Sequence, residues 1–147
     1  MHELTLAHAV EYAKMGLRVF PVGPSKRPMT ANGFHAGTTD VTKIQQMWRG
    51  QDVPMIGVVH DRFTVLDFDG EPGRQSYREY GYLFPEPLAM VETRSGGLHM
   101  YYMNPPGPLK RNIKTRPGLD ILQGDGGYVI VPPSKGYTFL KGDMETV

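Results

Sequence analysis

The chain contains no cysteine. That absence excludes disulfides, thiolate zinc sites and cysteine nucleophiles together, and leaves oxygen and imidazole as the groups that could hold a metal ion. It also lacks any apolar run near the ~20 residues that a membrane-crossing helix needs, so no membrane partner is expected. The opening MHELTLAHAVEYAKMG is amphipathic and carries acids, unlike a basic and then apolar leader, which predicts a cytoplasmic protein. Internal repeats, low-complexity tracts and evident linkers are missing too. A length of 147 residues suffices for one hydrophobic core and is short for two, so a single domain over residues 1–147 is expected.

Net charge is nearly absent, at +1, but the charges are not evenly spread. Lys110, Arg111, Lys114 and Arg116 cluster in LKRNIKTRPG, while acids gather in DFDGE and LDILQGD. A solvated basic loop explains the first cluster by itself. Beside the acids, it also suits an anionic ligand held between cations and metal-binding carboxylates.

Apolar spacing predicts an N-terminal helix with Leu6, Val10 and Ala13 on its inner face, beside Leu4 and Ala7, stopping at Gly16. A strand, LRVFPV, a Pro/Gly-rich loop and a capped helix in TTDVTKIQQMW follow, the helix turning Ile44, Met47 and Trp48 inward. Strands are then expected in MIGVVH and TVLDF, a short helix over residues 73–82, and a hairpin of AMVET and LHMYYM joined by RSGG. LDILQ and YVIV complete the strands, separated by the turn GDGG. Helices first and short-turn strands afterwards predict an α+β domain with a largely antiparallel sheet.

The stretch TVLDFDG places two carboxylates two positions apart in an apolar run. Alternation along a strand sends Asp67 and Asp69 to one face with Val65, and Leu66 and Phe68 to the other. Two such acids repel unless protonated or bridged, and a divalent cation resolves the conflict. Two surface acids at a strand end are the plainer reading of a lone DxD. A second element, TRSGGLHMYY, offers a turn of Ser95, Gly96 and Gly97 whose backbone N–H groups could face an anion, with Arg94 adding charge. His99 follows on the same strand face as Tyr101. In the third element Asp120 sits on an apolar strand as Asp67 does, with Leu119 and Ile121 facing away. Three acids could hold one or two Mg²⁺ or Mn²⁺ ions, the apparatus of nucleotidyl transfer. Asp125, within GDGG, reads instead as a turn residue.

In this order VLDFDG, SGGLHMYY and GLDILQGDGGYVIVPPS resemble the bifunctional DNA primase/polymerase N-terminal (prim-pol) domain of the archaeo-eukaryotic primase superfamily, with its hhhDhD, sxH and hD motifs. The likeness extends upstream through AVEYAKMGLRVFPV, a Lys-x-Pro loop and a Trp-bearing helix, and covers about residues 5 to 140. It implies an RRM-like, mostly antiparallel sheet packed with an N-terminal α/β module. It implies Asp67, Asp69 and Asp120 as metal ligands for a two-metal Mg²⁺ or Mn²⁺ site. By the same resemblance His99 meets the triphosphate of an incoming (d)NTP, with Ser95, Gly96 and Gly97 lining its site. The implied partners are a single-stranded DNA template and its primer, and in longer members a helicase. Arg94, Arg111, Lys114 and Arg116 suit triphosphate or template-backbone contacts on electrostatic grounds.

The sequence departs from that pattern where HDRF stands in place of a Thr-Gly turn, and the part played by His60 there is open. It also ends at KGDMETV where family members usually continue, as either a minimal core or the N-terminal part of a longer primase-helicase. Two other classes fit parts of the pattern. Haloacid-dehalogenase-like phosphatases share hhhDxDG, which would make Asp67 a nucleophile and Asp69 a general acid within a doubly wound α/β unit. A catalytically silent nucleic-acid-binding module would use Tyr101 and Tyr102 for base stacking.

Overall fold

A computed structural model describes residues 2–51, 54–104 and 116–147. Helix α1 (His2–Lys14) opens the chain and is followed by strand β1 (Val19–Val22), helix α2 (Val41–Trp48), and strands β2 (Met55–Val59) and β3 (Phe63–Phe68). Helix α3 (Gly70–Tyr80) leads to β4 (Ala89–Glu92), β5 (Leu98–Met103), β6 (Leu119–Leu122), β7 (Tyr128–Val131) and β8 (Thr138–Lys141). The architecture is α+β, and the strand pairs are antiparallel.

The strands divide between two sheets, ordered β1-β2-β7 and β6-β3-β5-β4-β8. Sequence patterning anticipated one sheet and gave no sign of β8, whose Thr-Phe-Leu-Lys run is short and mostly exposed. β7 leaves its neighbour β6 to pair with β2, a long-range choice that no local signal announces. β3 lies inside the five-stranded sheet between antiparallel β5 and β6. That topology removes the phosphatase reading, which needs a doubly wound parallel sheet.

Alternation assigns the two faces of the larger sheet. Phe63, Val65, Ala89, Val91 and Tyr101 join β1, β2, β7 and the N-terminal helices in the main core. Leu66, Phe68, Met100 and Leu119 form a second core with Tyr77 of α3 and Phe84. The face of α1 differs from the expected one: Thr5, Ala9, Tyr12 and Ala13 are buried, Leu6 and Val10 only in part, and Ala7 is exposed. The Thr5 hydroxyl accepts the Trp48 indole N–H at 3.1 Å, which fixes α2 against α1. Asp40 caps α2, accepting from the amides of Thr42 and Lys43. Helix α3 starts earlier than expected, directly after Asp69. Gly73 and Gly118 permit this, because a Cβ on Gly118 would stand 2.2 Å from the Gly73 nitrogen. The Asp69 amide donates to the Gly118 carbonyl at 2.7 Å, so this contact ties the end of β3 to the start of β6.

Candidate active site

Strand register brings three of the expected residues into one row. Asp67 pairs directly with His99 on β5 and with Asp120 on β6, so the order across the sheet is Asp120, Asp67, His99. Side chains that stand opposite on one sheet face have Cβ atoms ~4.5–5.5 Å apart. His99 Nε2 lies 3.4 Å from Asp67 Oδ1, His99 is buried, and Asp67 is partly exposed. Asp120 is exposed. Like charges facing each other across a ladder are destabilising. The sheet places two of them together, and Asp67 lines a cleft.

Asp69 lies just past the end of β3 and is exposed. Its Oδ1 accepts the Ser95 hydroxyl at 3.2 Å, which links the DxD stretch to the β4–β5 turn. That turn differs from its expected use. The Gly96 amide donates to the Thr93 carbonyl at 2.9 Å and the Gly97 amide to Thr93 Oγ1 at 3.0 Å, so both are spent within the turn. What the turn presents is the Ser95 side chain and the cation beside it, Arg74 of α3, whose Nε donates to the Gly96 carbonyl. Gly97 is needed for close approach: a Cβ there would lie 2.3 Å from the Phe68 carbonyl oxygen.

Of the expected cations, Arg94 and Arg116 are described, and each is engaged elsewhere. Arg94 turns toward the loop after β1, donating to the Pro24 carbonyl at 2.9 Å. Arg116 stacks its guanidinium over the Tyr80 ring, 4.0 Å from the centroid. Tyr80 ends α3, roughly 16 Å along the helix from Asp69 at ~1.5 Å per residue, and Arg116 is engaged at that end. Lys110, Arg111 and Lys114 lie outside the described residues.

A cleft of about 230 Å³ opens between the two sheets, lined by Asp67, His99 and Leu122 on one side and by Lys26, Tyr128, Val129 and Ile130 on the other, with Tyr137 beside them. It is smaller than the ~300–1,000 Å³ that engulfs a small ligand, and so fits one end of a larger one. Lys26 and Tyr137 were not singled out from sequence. The Lys-x-Pro pattern was the available signal for Lys26, whereas the approach of Tyr137 to His99, 6.5 Å between ring centroids, depends on the long-range path of the chain after β7.

The donor chemistry of Asp67, Asp69 and Asp120 suits a hard divalent cation, which takes oxygen ligands. Among the described residues, however, no three His, Asp or Glu side chains converge as a ready ligand set. An open arrangement is compatible with Mg²⁺, which keeps several waters and uses one or two carboxylates plus substrate phosphates.

Two other residues acquire structural roles. His60 is buried, and its Nδ1 lies 2.8 Å from the Gly124 carbonyl, so the imidazole braces the β6–β7 bend that contains exposed Asp125. Tyr101 is fully buried, which removes it as a stacking platform; Tyr102 donates its hydroxyl to the Pro85 carbonyl on the α3 side of the sheet. Among the described residues no helix is long and apolar enough to cross a membrane.

Comparison with curated proteins finds no match. A family model, however, matches residues 9–146, nearly the whole chain. The chain belongs to the family described as bifunctional DNA primase/polymerase, N-terminal.

Proposed function

We propose that the protein is a metal-dependent nucleotidyltransferase that adds dNTPs or NTPs to a primer 3′-hydroxyl on a single-stranded DNA template. The new bond joins the 3′-oxygen to the α-phosphorus, the α–β phosphoanhydride breaks, and pyrophosphate leaves. The observation that carries this reading is the row Asp120–Asp67–His99, in which two facing acids stand beside an imidazole and Asp67 and His99 line a cleft. Asp67, Asp69 and Asp120 are the proposed holders of Mg²⁺ or Mn²⁺. Such ions, when bound, activate the attacking hydroxyl and steady the charge of an in-line displacement.

The protein's own groups bind and orient. His99, fixed beside Asp67, faces the triphosphate, and Ser95 holds the Asp69 carboxylate. In the same proposal the five-stranded sheet is the RRM-like core of the archaeo-eukaryotic primases, the three-stranded sheet with α1 and α2 is its N-terminal module, and the two form one domain. Extension of a primer comes first, because the row and the cleft serve one incoming nucleotide. De novo synthesis needs a second nucleotide site as well.

Primer extension with Mg²⁺ or Mn²⁺ tests the assignment, comparing the wild type with Asp67→Ala/Asp69→Ala. The wild type should extend and the double variant should not. Activity that survives the double change sinks the metal-site assignment, and metal-independent DNA binding without extension favours the silent module.

A further inference from the structure

The loop after β1 carries an unusual backbone. Among the described residues Lys26 is the only non-glycine residue with a positive φ, +67°. A β-carbon is costly there, and glycine is the ordinary solution. The conformation is held from several directions. The Lys26 amide donates to the Gly23 carbonyl at 2.9 Å, and the Gly23 amide to the Arg27 carbonyl at 2.8 Å. The Tyr128 hydroxyl donates to the Lys26 carbonyl at 2.8 Å, and Arg94 fixes Pro24. Tyr128 is itself set edge-on against buried Phe20, with ring centroids 5.0 Å apart. A non-glycine residue kept in a strained well by surrounding structure, beside a site, is the pattern of strain retained for function.

Lys26 is an exposed cation among the residues that line the cleft of Asp67 and His99, on the opposite wall. Among the described residues no carboxylate forms an ion pair with it. A lysine ammonium is a compact point charge suited to phosphate oxygens. The cleft admits one end of a ligand rather than a whole nucleotide, and under the nucleotidyl-transfer reading the end that meets His99 is the triphosphate.

Resting on that reading, we propose that Lys26 is a specificity-determining residue that reads the terminal phosphate of the incoming nucleotide from the N-terminal wall of the cleft. Tyr128 is its positioning residue. The β1 loop then does more than pack: it makes binding depend on phosphate count, so that spent nucleotides are rejected.

The test is equilibrium binding of dATP, dADP and dAMP, each with Mg²⁺ and no primer, to the wild type and to Lys26→Ala, Lys26→Gly and Tyr128→Phe. Lys26→Ala should weaken dATP about tenfold, dADP less, and leave dAMP unchanged. Lys26→Gly should lose dATP affinity equally while its melting temperature rises about 2 to 4 °C, since glycine relieves the backbone. Tyr128→Phe should lose about threefold, again on dATP first. Unchanged dATP binding in both Lys26 variants, or equal loss across the three nucleotides, overturns the role of Lys26. A fall in the Lys26→Gly melting temperature overturns the claim of strain. A wild type that binds none of the three overturns the nucleotidyl-transfer reading itself, and the role of Lys26 with it.

Discussion

Asp67 and Asp120 stand directly opposite each other on adjacent antiparallel strands, two carboxylates where a ladder ordinarily avoids like charges. That pairing costs the fold stability, and under the proposed function a bound divalent cation would offset the cost. Asp120→Asn should therefore raise stability by about 0.5 kcal/mol, read as a higher urea midpoint in metal-free buffer. It should lower primer extension by roughly a hundredfold or more. Asp120 is the cleaner position to test, because Asp67 also faces His99. A variant that loses stability and activity together would mark Asp120 as a structural residue.

Much of this row was legible in the sequence, and its closeness was not. Alternation along TVLDF placed Asp67 with Val65 and away from Leu66 and Phe68, and the structure has that division between its two cores. The same alternation put Leu119 and Ile121 behind Asp120. What periodicity cannot supply is register. That Asp67 meets both His99 and Asp120 depends on how three strands far apart in sequence slide against one another. Arg94 shows what charge alone does not reveal. Its charge suggested the anion site, and in the structure its Nη1 donates to the Pro24 carbonyl, in a loop 70 residues earlier. Lys26, in that loop, is the cation on the cleft. In the β4–β5 turn both glycine amides are bonded within the turn rather than free, and a close approach to neighbouring backbone is made at Gly97 alone.

That approach separates the two glycines. At Gly97 an added Cβ meets the Phe68 carbonyl oxygen at 2.3 Å, an atom of the strand that carries Asp67, and it cannot move without shifting that strand. At Gly96 it meets the far end of the Arg74 side chain, which can swing away, leaving the backbone strain of φ +82°. Gly97→Ala should cost about 2 to 3 kcal/mol and Gly96→Ala about 1 kcal/mol. Urea denaturation measures both. The reverse order would show that Arg74 is rigidly held.

His60 and His99, both buried, should separate in the same way. His60 braces the Gly124 carbonyl and packs against Gly127, so His60→Ala should cost about 1 to 3 kcal/mol of stability through loss of that bond. dATP affinity of the folded protein should be largely retained. His99 reaches Asp67 at the cleft, and its Nδ1 has no hydrogen-bond partner among the described residues. His99→Ala should leave the urea midpoint within about 1 kcal/mol and weaken dATP on the order of tenfold or more. Thermal melts paired with nucleotide titrations distinguish the two, and a stability loss at His99 equal to that at His60 would count against its binding role.

Tyr101 lies beneath the row, fully buried in the main core, with a hydroxyl that has no partner among the described residues. Burial first, and then the neighbouring Tyr12, Asp67 and Tyr137, push its ionisation well above the ordinary tyrosine range. In the unfolded chain a tyrosine loses its proton near pH 10, while native Tyr101 keeps it. Its contribution is therefore complete below about pH 10 and lost as the pH climbs beyond, at up to about 1.4 kcal/mol per pH unit. Tyr101→Phe should remove that slope between about pH 10 and 11, seen as a flatter dependence of the urea midpoint than in the wild type. At neutral pH the same change removes an unpaired buried hydroxyl, and should be neutral or stabilising by about 1 kcal/mol. Tyr12→Phe supplies the contrast, since the Tyr12 hydroxyl donates to the Pro132 carbonyl and its loss should destabilise. If Tyr101→Phe lowers the midpoint at pH 7 as much as Tyr12→Phe does, the Tyr101 hydroxyl is bonded in solution, and the neutral core beneath the site is held by a polar contact rather than by packing alone.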